Sequence, residues 1–153
     1  MNTKTLFSHN TDHWKTPTKL YKYIMETGYI DPCPFHSNKD NLNELYENKK
    51  IYINPPYSQI DKWTKFIKNN INKNEILLLI PARTDTKYFH ELLELKPTIK
   101  FIKGRLKSND IGCAPFPSIF MIFKPYYRKV DNNTYETFND LDWQEINENI
   151  RTI

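Results

Sequence analysis

The sequence predicts an α/β domain with a mostly parallel sheet, helices on both faces and a mixed edge. Three observations carry this. Runs of β-branched, aromatic and aliphatic residues at 51–53, 75–80 and 118–123 read as strands, and EILLLI and SIFMIF show no alternation, as strands covered on both faces do. Segments with apolar residues three and four apart lie over 18–26, from about 58 to 70, and over 84–95, and read as amphipathic helices. Helices alternating with buried strands fit crossover connections and hence a parallel sheet. A hairpin between 98–102 and 118–123 would supply the mixed edge.

A chain of 153 residues is long enough for one domain with a substantial core. We therefore expect a single unit over 1–153, with a polar arm at about 1–12 and no separate target-recognition domain. Hydrophobic content is low at 39%, but nine Phe, ten Tyr and three Trp argue against disorder. Those rings suit packing and base stacking alike. The net charge of +4 permits an anionic partner. No apolar run approaches a membrane span, and the start of the chain has no signal-peptide core. Cys33 and Cys113 have neither metal-site spacing nor the density of a secreted scaffold, so a reduced cytoplasmic setting is expected. The four histidines lack ligand spacing, and no metal is expected; His36 beside Cys33 reads as a loop residue.

In chain order, Thr16 reads as the cap and Pro17 as the first position of a helix whose body is 18–26. Leu20, Tyr21, Ile24 and Met25 share its inner face, and Gly28 stops it. Tyr29 and Ile30 begin a short strand ending at Asp31. Residues 36–50 are polar, with Leu42, Leu45 and Tyr46 as anchors of a short turn or helix. After the strand at 51–53, Ser58 or Asp61 caps a helix running to about Asn70, with Trp63, Phe66, Ile67 and Ile71 turned inward. The helix over 84–95 buries Phe89, Leu92 and Leu93 and is closed by Pro97. A strand at 98–102 leads to Gly104 and the basic stretch Arg105-Leu-Lys107, and 109–116 reads as a loop. Beyond Pro125, Tyr135, Phe138, Leu141, Trp143 and Ile146 suggest one strand and a short helix packing back on the sheet.

The stretch at 51–57, IYINPPY, organises the functional reading. Pro55 and Pro56 lack backbone donors and fix φ, and Pro56 also keeps Pro55 out of the helical region. A stiff corner follows, with the Asn54 amide before it and the Tyr57 ring after it. Asn-Pro is also a common turn starter, so the corner alone can be an ordinary turn. Its neighbours add weight. Asp31, Asn54 and the Arg83/Asp85 pair all follow strands, and in a parallel sheet such ends share one rim. The Asn54 amide oxygen and the Pro55 carbonyl could each accept one hydrogen from an exocyclic amine. That would aim the amine lone pair outward, with the ring stacked on Tyr57 as in pockets that receive a flipped base.

The chain resembles the phage-type DNA N6-adenine methyltransferases, the Dam-like group. The resemblance runs through Phe7-Ser8, DHWKTP with Asp12, Trp14, Thr16 and Pro17, then Asp31, NPPYSQIDKW, LLLIPARTDTKYFH, IKGRLK and APFPS, over roughly 7–123. It implies a compact Rossmann-like, S-adenosylmethionine-dependent methyltransferase fold that acts on double-stranded DNA. It implies a catalytic, adenine-holding role for Asn54, Pro55, Pro56 and Tyr57. Trp14, Thr16, Pro17 and Asp31 would lie on the cofactor side. Arg83, Asp85 and Ser118 would lie on the substrate side, with Arg105 and Lys107 on phosphate.

Plainer roles stand beside these. Trp14 can staple the arm to the core, Asp31 can bond its own backbone, and Arg83 can pair with Asp85. Arg105 and Lys107 can form a solvated face. Two other functions also fit the residues. One is a non-catalytic DNA-binding protein on a methyltransferase scaffold, suggested by the glycine-free DPCPF loop. The other is methylation of RNA or of a glutamine amide, since NPPY can hold any flat amine or amide. With so little chain to read DNA, specificity is expected to be low, or a homodimer adds surface.

Overall fold

The computed structural model describes residues 14–35, 41–108, 112–125, 128–129 and 135–136. Its helices are α1 (Thr18–Glu26), α2 (Ile60–Asn70) and α3 (Lys87–Leu93), with a 3-10 turn at Tyr57–Gln59 before α2. Its strands are β1 (Tyr29–Ile30), β2 (Lys50–Ile53), β3 (Glu75–Pro81), β4 (Thr98–Phe101), β5 (Lys107–Ser108), β6 (Gly112–Cys113), β7 (Ser118–Phe123), β8 (Arg128–Lys129) and β9 (Tyr135–Glu136).

Five strands form one sheet in the order β1-β2-β3-β7-β4. β1, β2 and β3 pair in parallel, with Ile30 beside Ile51 and Ile51 beside Ile76. β7 runs antiparallel to both β3 and β4. The sheet is thus mixed, with two parallel and two antiparallel pairings, rather than mostly parallel. The expected pairing of β4 with β7 is present and makes β4 an antiparallel edge, with β7 inside, between β3 and β4. The reason lies in its composition, since SIFMIF is buried along its whole length and needs a strand on each side.

Every residue of β3 is buried too, and alternation divides its side chains between two cores. Ile51, Ile53, Ile76, Leu78 and Ile80 face α2 and α3, where they meet Trp63, Phe66, Ile67, Phe89 and Leu92. Tyr52, Leu77, Leu79, Phe120 and Ile122 face the other way, onto Leu20 and Ile24 of α1. Each aliphatic side chain buried this way contributes about 1.5–3 kcal/mol.

Four local features differ from those the sequence suggests. Thr16 does not cap α1: Pro17 occupies the cap position at φ −50° and ψ 133°, and the Thr16 hydroxyl is engaged elsewhere. Neither Ser58 nor Asp61 caps α2, which grows out of the 3-10 turn with Gln59 at its cap. α3 begins only at Lys87, because the Arg83 carbonyl is turned onto the N–H and hydroxyl of Thr86. Leu45 is 74% exposed and anchors nothing, while Leu42 and Tyr46 do pack on the core.

Residues 41–49 form no helix, and two buried asparagines hold them instead. Asn70 accepts from the Tyr46 N–H and donates to the Glu44 carbonyl, and Asn74 accepts from the Lys49 N–H and donates to the Tyr46 carbonyl. These bonds supply partners that a helix would have provided, and they deliver the chain into β2. Within the expected 109–116 loop, Gly112–Cys113 forms β6, which pairs antiparallel with β5, Lys107 opposite Cys113. Tyr135 lies in β9, which pairs with β8. The arm at 1–12, Phe7, Ser8, Asp12, His13, His36, Phe138, Leu141, Trp143 and Ile146 fall outside the described residues.

Candidate active site

Because β1, β2 and β3 run in parallel, their carboxyl ends meet at one rim. Asp31 follows β1, Asn54 follows β2, and Arg83 and Asp85 follow β3. Asn54 is buried at this rim. Its amide nitrogen donates to the Trp14 carbonyl at 2.6 Å and to the Thr16 hydroxyl at 3.0 Å. A carbonyl can only accept, so the amide atom facing Trp14 is nitrogen, and the way the amide faces is settled. Both of its N–H donors are thereby committed.

Two cavities flank this amide. The larger, about 330 Å³, is lined by Lys15, Thr16, Tyr21, Asp31, Cys33 and Phe35, among others. The smaller, about 20 Å³, lies against Trp14, Tyr57, Leu106, Phe116 and Ser118. Asn54 and Lys15 line both.

In the larger cavity, one Asp31 oxygen accepts the Cys33 backbone N–H at 2.8 Å and the other accepts the Tyr21 hydroxyl at 3.0 Å. Burial raises the Asp31 pKa above the usual carboxylate value, while these two bonds pull it back down. Burial, together with the nearby Asp31 charge and the bond to it, pushes the Tyr21 phenol up to about 12. In the smaller cavity, Phe116 meets Tyr57 edge to face at 5.0 Å and Trp14 at 5.9 Å.

The remaining expected site residues are distributed as follows. Pro55 and Pro17 are buried, and Pro56 leads into the 3-10 turn that carries Tyr57. Trp14, expected on the cofactor side, lines the smaller cavity and gives its carbonyl to Asn54. Ser118 is buried beside Pro81 in the sheet register and lines the smaller cavity. Arg83 and Asp85 are exposed and line neither cavity. Arg105 and Lys107 are exposed on either side of Leu106, whose side chain forms part of the smaller cavity's wall.

Phe116 and Tyr52 carry no local sign in the sequence of a place at the site. Phe116 stood within the APFPS stretch, yet nothing local distinguishes it from a loop anchor. Among the described residues no three His, Cys, Asp or Glu cluster as metal ligands, and no helix is long and apolar enough to cross a membrane.

A family model described as DNA N-6-adenine-methyltransferase (Dam) matches residues 2–144. The chain belongs to the Dam family. A relative, the DNA N-6-adenine-methyltransferase of Escherichia phage T1, is 28% identical over 117 residues, which cover 66% of this chain and 49% of that protein. This Dam family chain therefore spans about half the length of that relative. No solved structure matches it.

Membership of the Dam family implies dependence on S-adenosylmethionine. The larger cavity fits such a group: its volume is within the range of small-ligand sites, and its lining mixes a carboxylate with aromatic and prolyl surfaces. Asp31 has the chemistry to accept ribose hydroxyls, and Phe35 and Pro34 offer flat apolar surface to a purine.

Proposed function

We propose that the chain transfers a methyl group from S-adenosylmethionine to the N6 amine of an adenine in double-stranded DNA. The observation that carries this is the Asn54 amide, buried between two cavities with both of its N–H groups committed to Trp14 and Thr16. The amide oxygen is an acceptor, and an exocyclic amine brings donors. An amine so held has its lone pair turned away from the acceptors, and the rate comes mainly from that alignment.

Asp31, Thr16, Tyr21 and Phe35 would hold the cofactor, which when bound supplies an electrophilic methyl group. Tyr57 would stack on the adenine with Phe116 closing the pocket, and Pro55 and Pro56 would keep the corner rigid. The amine proton leaves to water after the methyl is gained. Arg105 and Lys107, beside the pocket wall, would take phosphates, and Arg83 and Asp85 would meet DNA farther out along the rim. The described scaffold would be a Rossmann-like methyltransferase unit, and intracellular DNA as substrate would place it in the cytoplasm. A homodimer would widen the DNA-binding surface.

The test is incubation of the purified chain with labelled S-adenosylmethionine and unmethylated duplex DNA, RNA or protein. N6-methyladenine in the DNA is the expected product. Transfer confined to RNA or to protein would overturn the DNA assignment. DNA binding that depends on Arg105 and Lys107, with neither cofactor binding nor transfer, would instead establish a non-catalytic DNA-binding protein.

A further inference from the structure

Tyr52 sits in the middle of β2, fully buried on the α1 side of the sheet. Its ring fills a niche among Leu20, Leu77 and Phe120 that phenylalanine would fill as well. Its hydroxyl is what differs, and a buried phenol needs a partner. That partner is the Thr16 hydroxyl at 2.5 Å, which also accepts from the Asn54 amide at 3.0 Å. Thr16 contributes no cap to α1, and its hydroxyl is shared between Tyr52 and Asn54. The chain of bonds therefore runs from the interior of the sheet to the amide between the two cavities.

We propose that Tyr52 is a positioning residue: acting through the Thr16 hydroxyl, it fixes the plane of the Asn54 amide. The inference rests on the proposed methyl transfer for its meaning, but its geometry stands apart from it. The terminal torsion of an asparagine is broad on its own, so the plane is only as fixed as the amide's partners. The Trp14 carbonyl sets which end is nitrogen, and Thr16 sets the tilt. Without Tyr52, the Thr16 hydroxyl is free to choose another rotamer, and its hold on the second N–H lapses. Burial drives the Tyr52 phenol far above its usual pKa, so it stays protonated and the relay is constant with pH. Tyr52 lines neither cavity, so Tyr52→Phe removes no side chain from the wall of either.

The decisive variant is Tyr52→Phe, compared with Thr16→Val, Thr16→Ser and the Tyr52→Phe/Thr16→Val pair. A loosened catalytic group should lower kcat by about tenfold in Tyr52→Phe, a larger effect than any on cofactor affinity. Thr16→Ser keeps the hydroxyl and should retain most of the activity that Thr16→Val loses. The double variant should be no slower than Thr16→Val alone, because the two residues act in series. In isotope-labelled full-length chain, the Asn54 side-chain amide protons should exchange with water faster in Tyr52→Phe. Unchanged kcat and exchange in Tyr52→Phe would overturn the proposal, and so would losses that multiply in the double variant. If the wild-type chain transfers no methyl group, the functional reading fails, and the exchange measurement still decides the role of Tyr52.

Discussion

The ring of Tyr57 meets that of Phe116 edge to face, with centroids 5.0 Å apart and planes at 82°. The cavity beside them has only about 20 Å³, room for roughly one water. An adenine can stack on Tyr57 only if Phe116 gives way. Tyr57→Ala removes the stacking face and should weaken base capture by about 1–3 kcal/mol, seen as a raised KM for DNA. Tyr57→Phe keeps the face and should stay near wild type. Equal KM values for the alanine variant and the wild type would remove Tyr57 from the base pocket.

Replacing Asn54 separates two demands on that position. Asn54→Ala removes an acceptor that acts on the reacting amine and should lower kcat by about 10²–10³-fold, with cofactor affinity little changed. Asn54→Asp keeps an acceptor but puts a carboxylate oxygen where the amide nitrogen now stands, 2.6 Å from the Trp14 carbonyl. Two acceptors at that distance repel, so the aspartate variant should be about as poor as the alanine one. Single-turnover rates decide the matter; an aspartate variant with wild-type rates would contradict the amide orientation described above.

The corner at Asn54 was legible because its signal is local: two prolines and a flat ring directly after a strand. The buried strands were legible for the same reason, since EILLLI and SIFMIF state their burial in composition. What escaped depends on partners far along the chain. Thr16 looked like a helix cap, a pattern confined to four residues, but its hydroxyl is taken by Tyr52, 36 positions away. Phe116 gains its place only by touching Trp14 and Tyr57. Placing β7 between β3 and β4 is a matter of which edges meet, and periodicity within a strand carries no such information. The hydrophobicity of Leu45 suggested an anchor, yet the segment is held by Asn70 and Asn74 instead.

Arg105 and Lys107 stand either side of Leu106, a wall residue of the smaller cavity, so phosphate contacts there would bring DNA to the pocket mouth. Removing either cation should weaken binding to all sequences alike and reduce the salt slope of the association constant by about one. Titrations of Arg105→Ala and Lys107→Ala at several salt concentrations test this. An unaltered slope in both would show that these cations face solvent.

Asp31 carries a pKa raised by burial, so it holds its proton more tightly in the folded chain than in the unfolded one. Its contribution to stability is therefore full at low pH and declines as pH rises through the folded value. Asp31→Asn abolishes that decline, and its stability relative to wild type should rise with pH. Cofactor binding should move the other way. The ionised carboxylate is the stronger acceptor for hydroxyls, so the asparagine variant should bind S-adenosylmethionine about tenfold or more weakly. In the wild type, affinity should start to fall on acidification at a higher pH than for an ordinary aspartate. Calorimetric titration across pH checks both signs.

Glu75 gives a control at the opposite end of β3. It is buried, accepts the Tyr29 hydroxyl at 2.6 Å and lies 3.8 Å from the Lys124 ammonium. The Lys50 ammonium sits 4.6 Å from the centre of the Tyr29 ring and donates to the Thr27 carbonyl. Burial raises the Glu75 pKa; the Tyr29 bond and the two lysines oppose this without cancelling it. Here too the stabilising contribution is full below the unfolded pKa and lost as pH rises through the folded one. Glu75→Gln keeps an acceptor for Tyr29 and cannot ionise, so its Tm relative to wild type should climb with pH. Glu75→Leu strands the Tyr29 hydroxyl and should cost about 1–3 kcal/mol at low pH, a cost that eases as pH rises and wild type loses the Glu75 contribution. Neither change touches the rim that holds Asn54, so kcat of the folded variants should equal that of wild type. A Tm difference between Glu75→Gln and wild type that shrinks as pH rises would mean that the two lysines outweigh burial.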